Sequence, residues 1–177
     1  MNRPSRSFVS IVLSVMLICL GMTEDAQAQP IAGQAVVIDG DTLEIGGQRI
    51  RLVEIDAPES AQTCQLRSGR DWPCGRRAAF ALADHIGRSH VACTFSGNDR
   101  YGRVLARCTS GGADLGAWLI RQGWALPYFG RSSEYLRAAQ LAESDGVGIW
   151  AGTFEAPQKW RRMQHCSYIV PRTGEPC

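Results

Sequence analysis

Beyond an apolar run at Phe8 to Leu20, hydrophobic positions first alternate in short stretches and later recur at helical spacing. Val36 to Ile38 is a β-branched run, Asp39-Gly40 follows it, and Asp41 to Ile45 resumes the apolar pattern. An Asp-Gly step between apolar runs is among the stronger local hairpin signals. Gly46-Gly47 marks a second tight turn, and Gln48 to Ile55 alternates as a third strand. Pro58 stops it, because proline lacks a ladder donor and restricts the residue before it. The pattern predicts an opening three-stranded meander.

Residues 60–73 read as a polar loop carrying Cys64, Arg67 and Arg70. The spacing of Ala79, Leu82, Ala83 and Ile86 then predicts a helix from about Pro73 to Ile86, stopped by Gly87. His90 to Phe95 and Val104 to Thr109 read as two further strands. Leu115, Trp118 and Leu119 mark a second helix ending at Gly123, and Tyr135, Leu136, Ala139 and Ala142 a third ending near Gly146. From Gly152 onward the chain reads as irregular. Five strands with a helix between the third and fourth is the order of an OB-like barrel. The expected fold class is therefore α+β, mainly β, a five-stranded OB-fold barrel with three helices. A small open sheet with helices on one face satisfies the same pattern.

The N-terminal run changes the domain picture. Arg3 and Arg6 precede it, and Ala26-Gln27-Ala28 offers a small-x-small cleavage site, so residues 1–28 read as a signal peptide and 29–177 as one exported domain. A formal net charge of +2 is too small to bind a polyanion by bulk charge, so any such partner needs a local constellation. Beyond Cys19 lie Cys64, Cys74, Cys93, Cys108, Cys166 and Cys177. An even set in an exported chain points to disulfides, and the local pairing 64–74, 93–108 and 166–177 is expected because each closes a short loop or joins neighbouring elements. No CxxC or Cys/His spacing supports zinc.

The chemistry gathers between Val37 and Glu59. Asp41 follows the first turn and Asp56 ends the third strand, so the meander can bring two hard oxygen donors together, as Ca²⁺ or Mg²⁺ requires. Asp39 serves the turn equally well. Glu59, just past Pro58, is placed to act as a general base, though by spacing alone it reads as an ordinary loop acid. Arg51 stands among Ile50, Leu52 and Val53, where an arginine needs a partner or must snorkel. Strict alternation puts Arg51 and Asp56 on opposite faces, so both reach one site only if the strand bends, bulges or ends first. Arg103, in Asp99-Arg100-Tyr101-Gly102-Arg103, is a weak signal by itself. None of the three histidines sits in a catalytic setting.

Taken together, VIDGDT, RLVEIDAPE, DRYGR, RQGWA and GIW resemble, in order and spacing, the signatures of the thermonuclease (staphylococcal nuclease) family. The resemblance implies an OB-fold barrel with three helices and a Ca²⁺-dependent phosphodiesterase acting on DNA and RNA. It implies Asp41, Asp56 and the backbone carbonyl of Ala57 as metal ligands, Glu59 as general base, and Arg51 and Arg103 as phosphate-binding arginines. Family members often carry threonine where Ala57 stands, but a carbonyl ligand does not depend on the side chain. Arg100 and Tyr101 match a substrate subsite, and Tyr128 matches a base-stacking tyrosine in shifted register.

Two classes of function compete. The first is an exported calcium-dependent nuclease that leaves 3′-phosphate ends, working as a monomer on DNA, RNA or both. The second is a non-catalytic OB-type module that binds nucleic acid or protein. All five side-chain positions of the implied site are filled, which favours the nuclease. A metal-stabilised structural domain gives no reason for Arg51 and Arg103.

Overall fold

The computed structural model describes residues 31–128 and 132–173, with side chains as far as residue 166. The expected signal segment and Cys177, hence the 166–177 pairing, lie outside the described residues.

Five strands form the barrel: β1 (Ile31–Asp39), β2 (Thr42–Ile45), β3 (Gln48–Leu52), β7 (His90–Asn98) and β8 (Val104–Ser110). The antiparallel order is β3-β2-β1-β7-β8, and a parallel β3–β8 pairing closes it, with Ile50 opposite Val104 and Leu52 opposite Ala106. Closure rules out the open sheet and removes the exposed strand edges an open sheet would leave. Alternate residues of β8 point inward, where Val104, Ala106 and Cys108 meet Leu43, Ile50, Leu52 and Val91. Bulges between Val37 and Asp39 and between Phe95 and Gly97 bend the long strands around this core.

Helix α1 (Cys74–Ile86) covers the barrel with Ala78, Leu82 and Ile86. Helix α2 (Leu115–Arg121) buries Leu115, Leu119 and Ile120, and its N-cap Asp114 accepts from the amide of Ala117. Helix α3 (Ser133–Asp145) is capped by Ser132 and stopped by Gly146 in the left-handed conformation. The three helices stand where the periodicity put them.

Three local expectations are corrected. The third strand does not run to Ile55: it ends at Leu52, turns at Val53-Glu54, and resumes as a two-residue strand β4 (Ile55–Asp56). The polar loop contains β5 (Cys64–Leu66) and β6 (Asp71–Trp72), which join β11 (Gly152–Thr153) in a small second sheet. The tail is not irregular, because Pro157–Thr173 is a fourth helix, α4. Pro157 suits a first helical position, where no intrahelical donor is needed.

Two expected disulfides are present. Cys64–Cys74 ties β5 to the start of α1, and Cys93–Cys108 links facing residues of β7 and β8. These fit an oxidising compartment. Among the described residues, no helix is long and apolar enough to cross a membrane.

Candidate active site

The bend after β3 resolves the alternation problem. Glu54 is the one described non-glycine residue with positive φ, at 62°. A left-handed residue reverses the sense of alternation, so Asp56 comes round to the face from which Arg51 projects. Arg107 holds Glu54 there with a 2.6 Å bond from Nη2 to Oε2, and also donates to Asp114 at 3.3 Å. The amide of Tyr128, just past β10 (Leu126–Pro127), donates to the Glu54 carbonyl at 2.7 Å, while β10 pairs with β4.

On that face Arg51 bridges two buried acids. Nη1 donates to Asp41 Oδ1 at 2.8 Å and Nη2 to Asp56 Oδ1 at 3.2 Å. Asp41 and Asp56 are 4% and 2% exposed, so bulk solvent barely reaches either carboxylate. Asp41 also accepts from Thr42 Oγ1 at 3.1 Å and from the Ala57 amide at 3.3 Å. Burial pushes its carboxyl up to about 7; the charges of Asp39 and Asp56 add to this, and Arg51 opposes it. Asp39 accepts from the Asp41 amide at 3.1 Å, the turn role expected of it. Gly40 is required between them, since a Cβ there would meet the Ala57 Cβ at 2.7 Å.

Glu59 lies on a loop pinned from beneath. Its amide donates to Gln62 Oε1 at 3.3 Å and its carbonyl accepts from the Gln62 amide at 2.7 Å. Gln62 is fully buried, and its Nε2 donates to the carbonyl of Glu155 at 2.7 Å. Gly75 passes directly below, where a Cβ would lie 1.7 Å from the Glu59 carbonyl oxygen.

The sequence reading missed Arg161. It projects from the second turn of α4 and donates from Nη1 to Asp56 Oδ1 at 2.8 Å and to Glu59 Oε1 at 2.7 Å, and from Nη2 to Asp56 Oδ2 at 3.1 Å. Burial works against its charge, but the bonds to Asp56 and Glu59 outweigh burial and push it further above the ordinary arginine range. Pro157 ahead of Trp160 was the one signal that a helix began there.

Arg103 lines the same cleft, but its Nε is held by Asp99 at 2.7 Å. Arg100 donates to the Tyr101 hydroxyl at 2.7 Å, and Tyr101 is 70% exposed. The cleft encloses about 1390 Å³, and Tyr128 also lines it. All nine sequence-predicted residues therefore border it or, in the case of Asp56, stand directly behind Arg51.

Among the described residues no three His, Cys, Asp or Glu side chains form a metal cluster. The donor set nevertheless fits a hard cation. Two buried carboxylates present oxygen only, the donor type a hard cation takes.

A barrel whose mouth gathers acids, arginines and an exposed tyrosine in one open cleft has the architecture of a hydrolase acting on an anionic polymer. Residues 49–152 match the family described as staphylococcal nuclease homologue, and the chain belongs to that family. With the family match and relatives named as nucleases, this chain is a nuclease, a hydrolase of phosphodiester bonds in nucleic acid. It is 44% identical over 145 residues to the succinoglycan biosynthesis protein ExoI of Rhizobium meliloti (strain 1021), across 78% of this chain and 74% of that one. It is 34% identical to protein ParB of Escherichia coli, across 89% and 93%. It is 31% identical to a micrococcal nuclease of Shigella flexneri, across 71% and 77%.

Proposed function

We propose that this protein is an exported, calcium-dependent nuclease that hydrolyses DNA, RNA or both and leaves 3′-phosphate ends. The observation that carries this reading is the single guanidinium of Arg51 spanning Asp41 and Asp56, with Glu59 beside them at the cleft. Asp41, Asp56 and the Ala57 carbonyl would hold Ca²⁺. When bound, the cation supplies Lewis-acid charge that offsets the negative charge developing on the phosphoryl oxygens.

The chain's own groups do the rest. Arg51 holds Asp41 and Asp56 together and faces the scissile phosphate with its planar fork. Arg103 exchanges Asp99 for a phosphate oxygen when substrate enters, since both partners are anionic and the cleft is open on that side. Glu59 accepts a proton from the attacking water, and the leaving 5′-oxygen departs opposite it. Arg100, Tyr101 and Tyr128 contact the flanking nucleotides, with the tyrosines offering stacking surfaces. Signal cleavage after Ala28 would release residues 29–177 as a monomeric domain, and the two disulfides support that oxidising destination.

The test is degradation of plasmid DNA and of RNA by the purified protein, with Ca²⁺ or with EGTA, beside Glu59→Ala and Arg103→Ala. Strong loss is expected in EGTA and in both variants. Full activity in EGTA would remove the calcium mechanism, and binding without degradation in any cation would favour a non-catalytic module.

A further inference from the structure

We propose that Arg161 is a positioning residue of the active site: it holds Asp56 and Glu59 as an internal cation and must yield Asp56 when a divalent cation binds, so that it sets cation affinity. This rests on the calcium reading above.

The geometry is specific. Asp56 accepts from Arg161 on both oxygens, in a fork-on-carboxylate arrangement, and from Arg51 on Oδ1 as well. Its side chain is only 3% exposed, so little of it remains open to an incoming ligand. A cation taking an Asp56 oxygen would stand against a guanidinium already seated there. Two like charges at one buried carboxylate repel each other. Arg161 must therefore retreat, and the bond to Glu59 gives it a second anchor within reach. While in place, Arg161 holds the Glu59 carboxylate beside Asp56, whereas Arg51 ties Asp56 to Asp41.

The placement is built into the fold. Fully buried Gln62 accepts from the Glu59 amide with one end and donates to the Glu155 carbonyl with the other. The loop that carries Glu59 and the entry to α4 are thus fastened through one side chain. Lys159 pairs with Glu155 at 2.7 Å, and the Trp160 amide donates to the Ala156 carbonyl at 2.9 Å, fixing the first turn of α4, just ahead of Arg161. Arg161 stands on α4, outside the five barrel strands, so the contact joins the C-terminal helix to the barrel's mouth.

Calorimetric titration of Ca²⁺ into the purified protein without substrate tests this, comparing wild type, Arg161→Met, Arg161→Lys and Arg162→Met. Arg162 lines the same cleft and serves as the control. Arg161→Met is expected to bind Ca²⁺ at least tenfold more tightly, Arg161→Lys to fall between it and wild type, and Arg162→Met to match wild type. At saturating Ca²⁺, kcat of Arg161→Met should drop while its KM changes less, because Glu59 has lost its partner. Thermal unfolding checks that each variant is folded, and Arg161→Lys carries the test if Arg161→Met is not. Wild-type binding with unchanged or weaker affinity in Arg161→Met and Arg161→Lys overturns the inference alone. No Ca²⁺ binding by wild type overturns the calcium reading and this inference with it.

Discussion

Arg51 Nη2 lies 3.2 Å from Asp56 Oδ1 because Glu54, between them, adopts a φ of 62°. Five residues apart on a regular strand, the two side chains would point to opposite faces. A left-handed conformation is costly for most residues and persists where neighbours over-determine it. Here the Arg107 side chain and the Tyr128 amide hold Glu54 from two sides.

Substitution at this position should therefore separate backbone from side chain. Glu54→Gly and Glu54→Val both lose the ion pair to Arg107, but glycine tolerates positive φ and a β-branched residue does not. Glu54→Val is expected to lose about tenfold or more in kcat/KM relative to Glu54→Gly, with a lower Tm. Equal activities would mean that the bend does not depend on Glu54's conformation.

Gly75→Ala tests the support beneath Glu59. A methyl group at this position collides with the Glu59 carbonyl, a backbone atom that no rotamer change can move aside. The variant should cleave at least about tenfold more slowly, in line with the cost of misplacing the proposed general base. Its unfolding should remain cooperative, with a lower Tm. Wild-type kcat would show that the Glu59 loop shifts without consequence.

The two described disulfides should differ in what they protect. Cys64–Cys74 borders the Gln62 loop, whereas Cys93–Cys108 joins strands already paired in the barrel. Replacing either pair by serine should cost stability, typically about 2–5 kcal/mol for a native disulfide. Only the 64–74 double variant should also lower kcat below the Tm. A matching kcat loss in both would tie the effect to stability alone.

Asp41 predicts a pH dependence in the cation-free protein. Its carboxyl rises from 3.8 to about 7 on folding, chiefly through burial, so the native state binds this proton more tightly than the unfolded chain. Its stabilising contribution is complete below about pH 3.8 and is lost as pH rises through about 7. Each unit of pKa difference is worth roughly 1.4 kcal/mol. Chemical denaturation in EGTA should show wild type losing stability across that range relative to Asp41→Asn. Parallel pH profiles would contradict the assignment.

The barrel was legible because its strands alternate cleanly and its turns carry Asp-Gly and Gly-Gly, and the first three helices because their stops are glycines. Asp41, Arg51, Asp56, Glu59 and Arg103 were legible from their motifs. That the strand must break its alternation before Asp56 was legible too, but the seat of the bend was not, since glutamate in a left-handed conformation leaves no trace in residue type. Arg161 was hidden for another reason. It lies 105 residues from Asp56, on a helix of polar overall composition, and such a contact follows from tertiary packing rather than local pattern.

Asp41, Asp56, Arg51 and Glu59 are proposed to form one calcium-dependent hydrolytic site. The most direct test is single-turnover cleavage of an end-labelled oligonucleotide, with end-group analysis, by wild type and Glu59→Gln in Ca²⁺ and wild type in EGTA. The account predicts 3′-phosphate products from wild type in Ca²⁺, a rate about 10²-fold lower or more for Glu59→Gln, and no cleavage in EGTA. Undiminished cleavage in EGTA, or by Glu59→Gln, would contradict it.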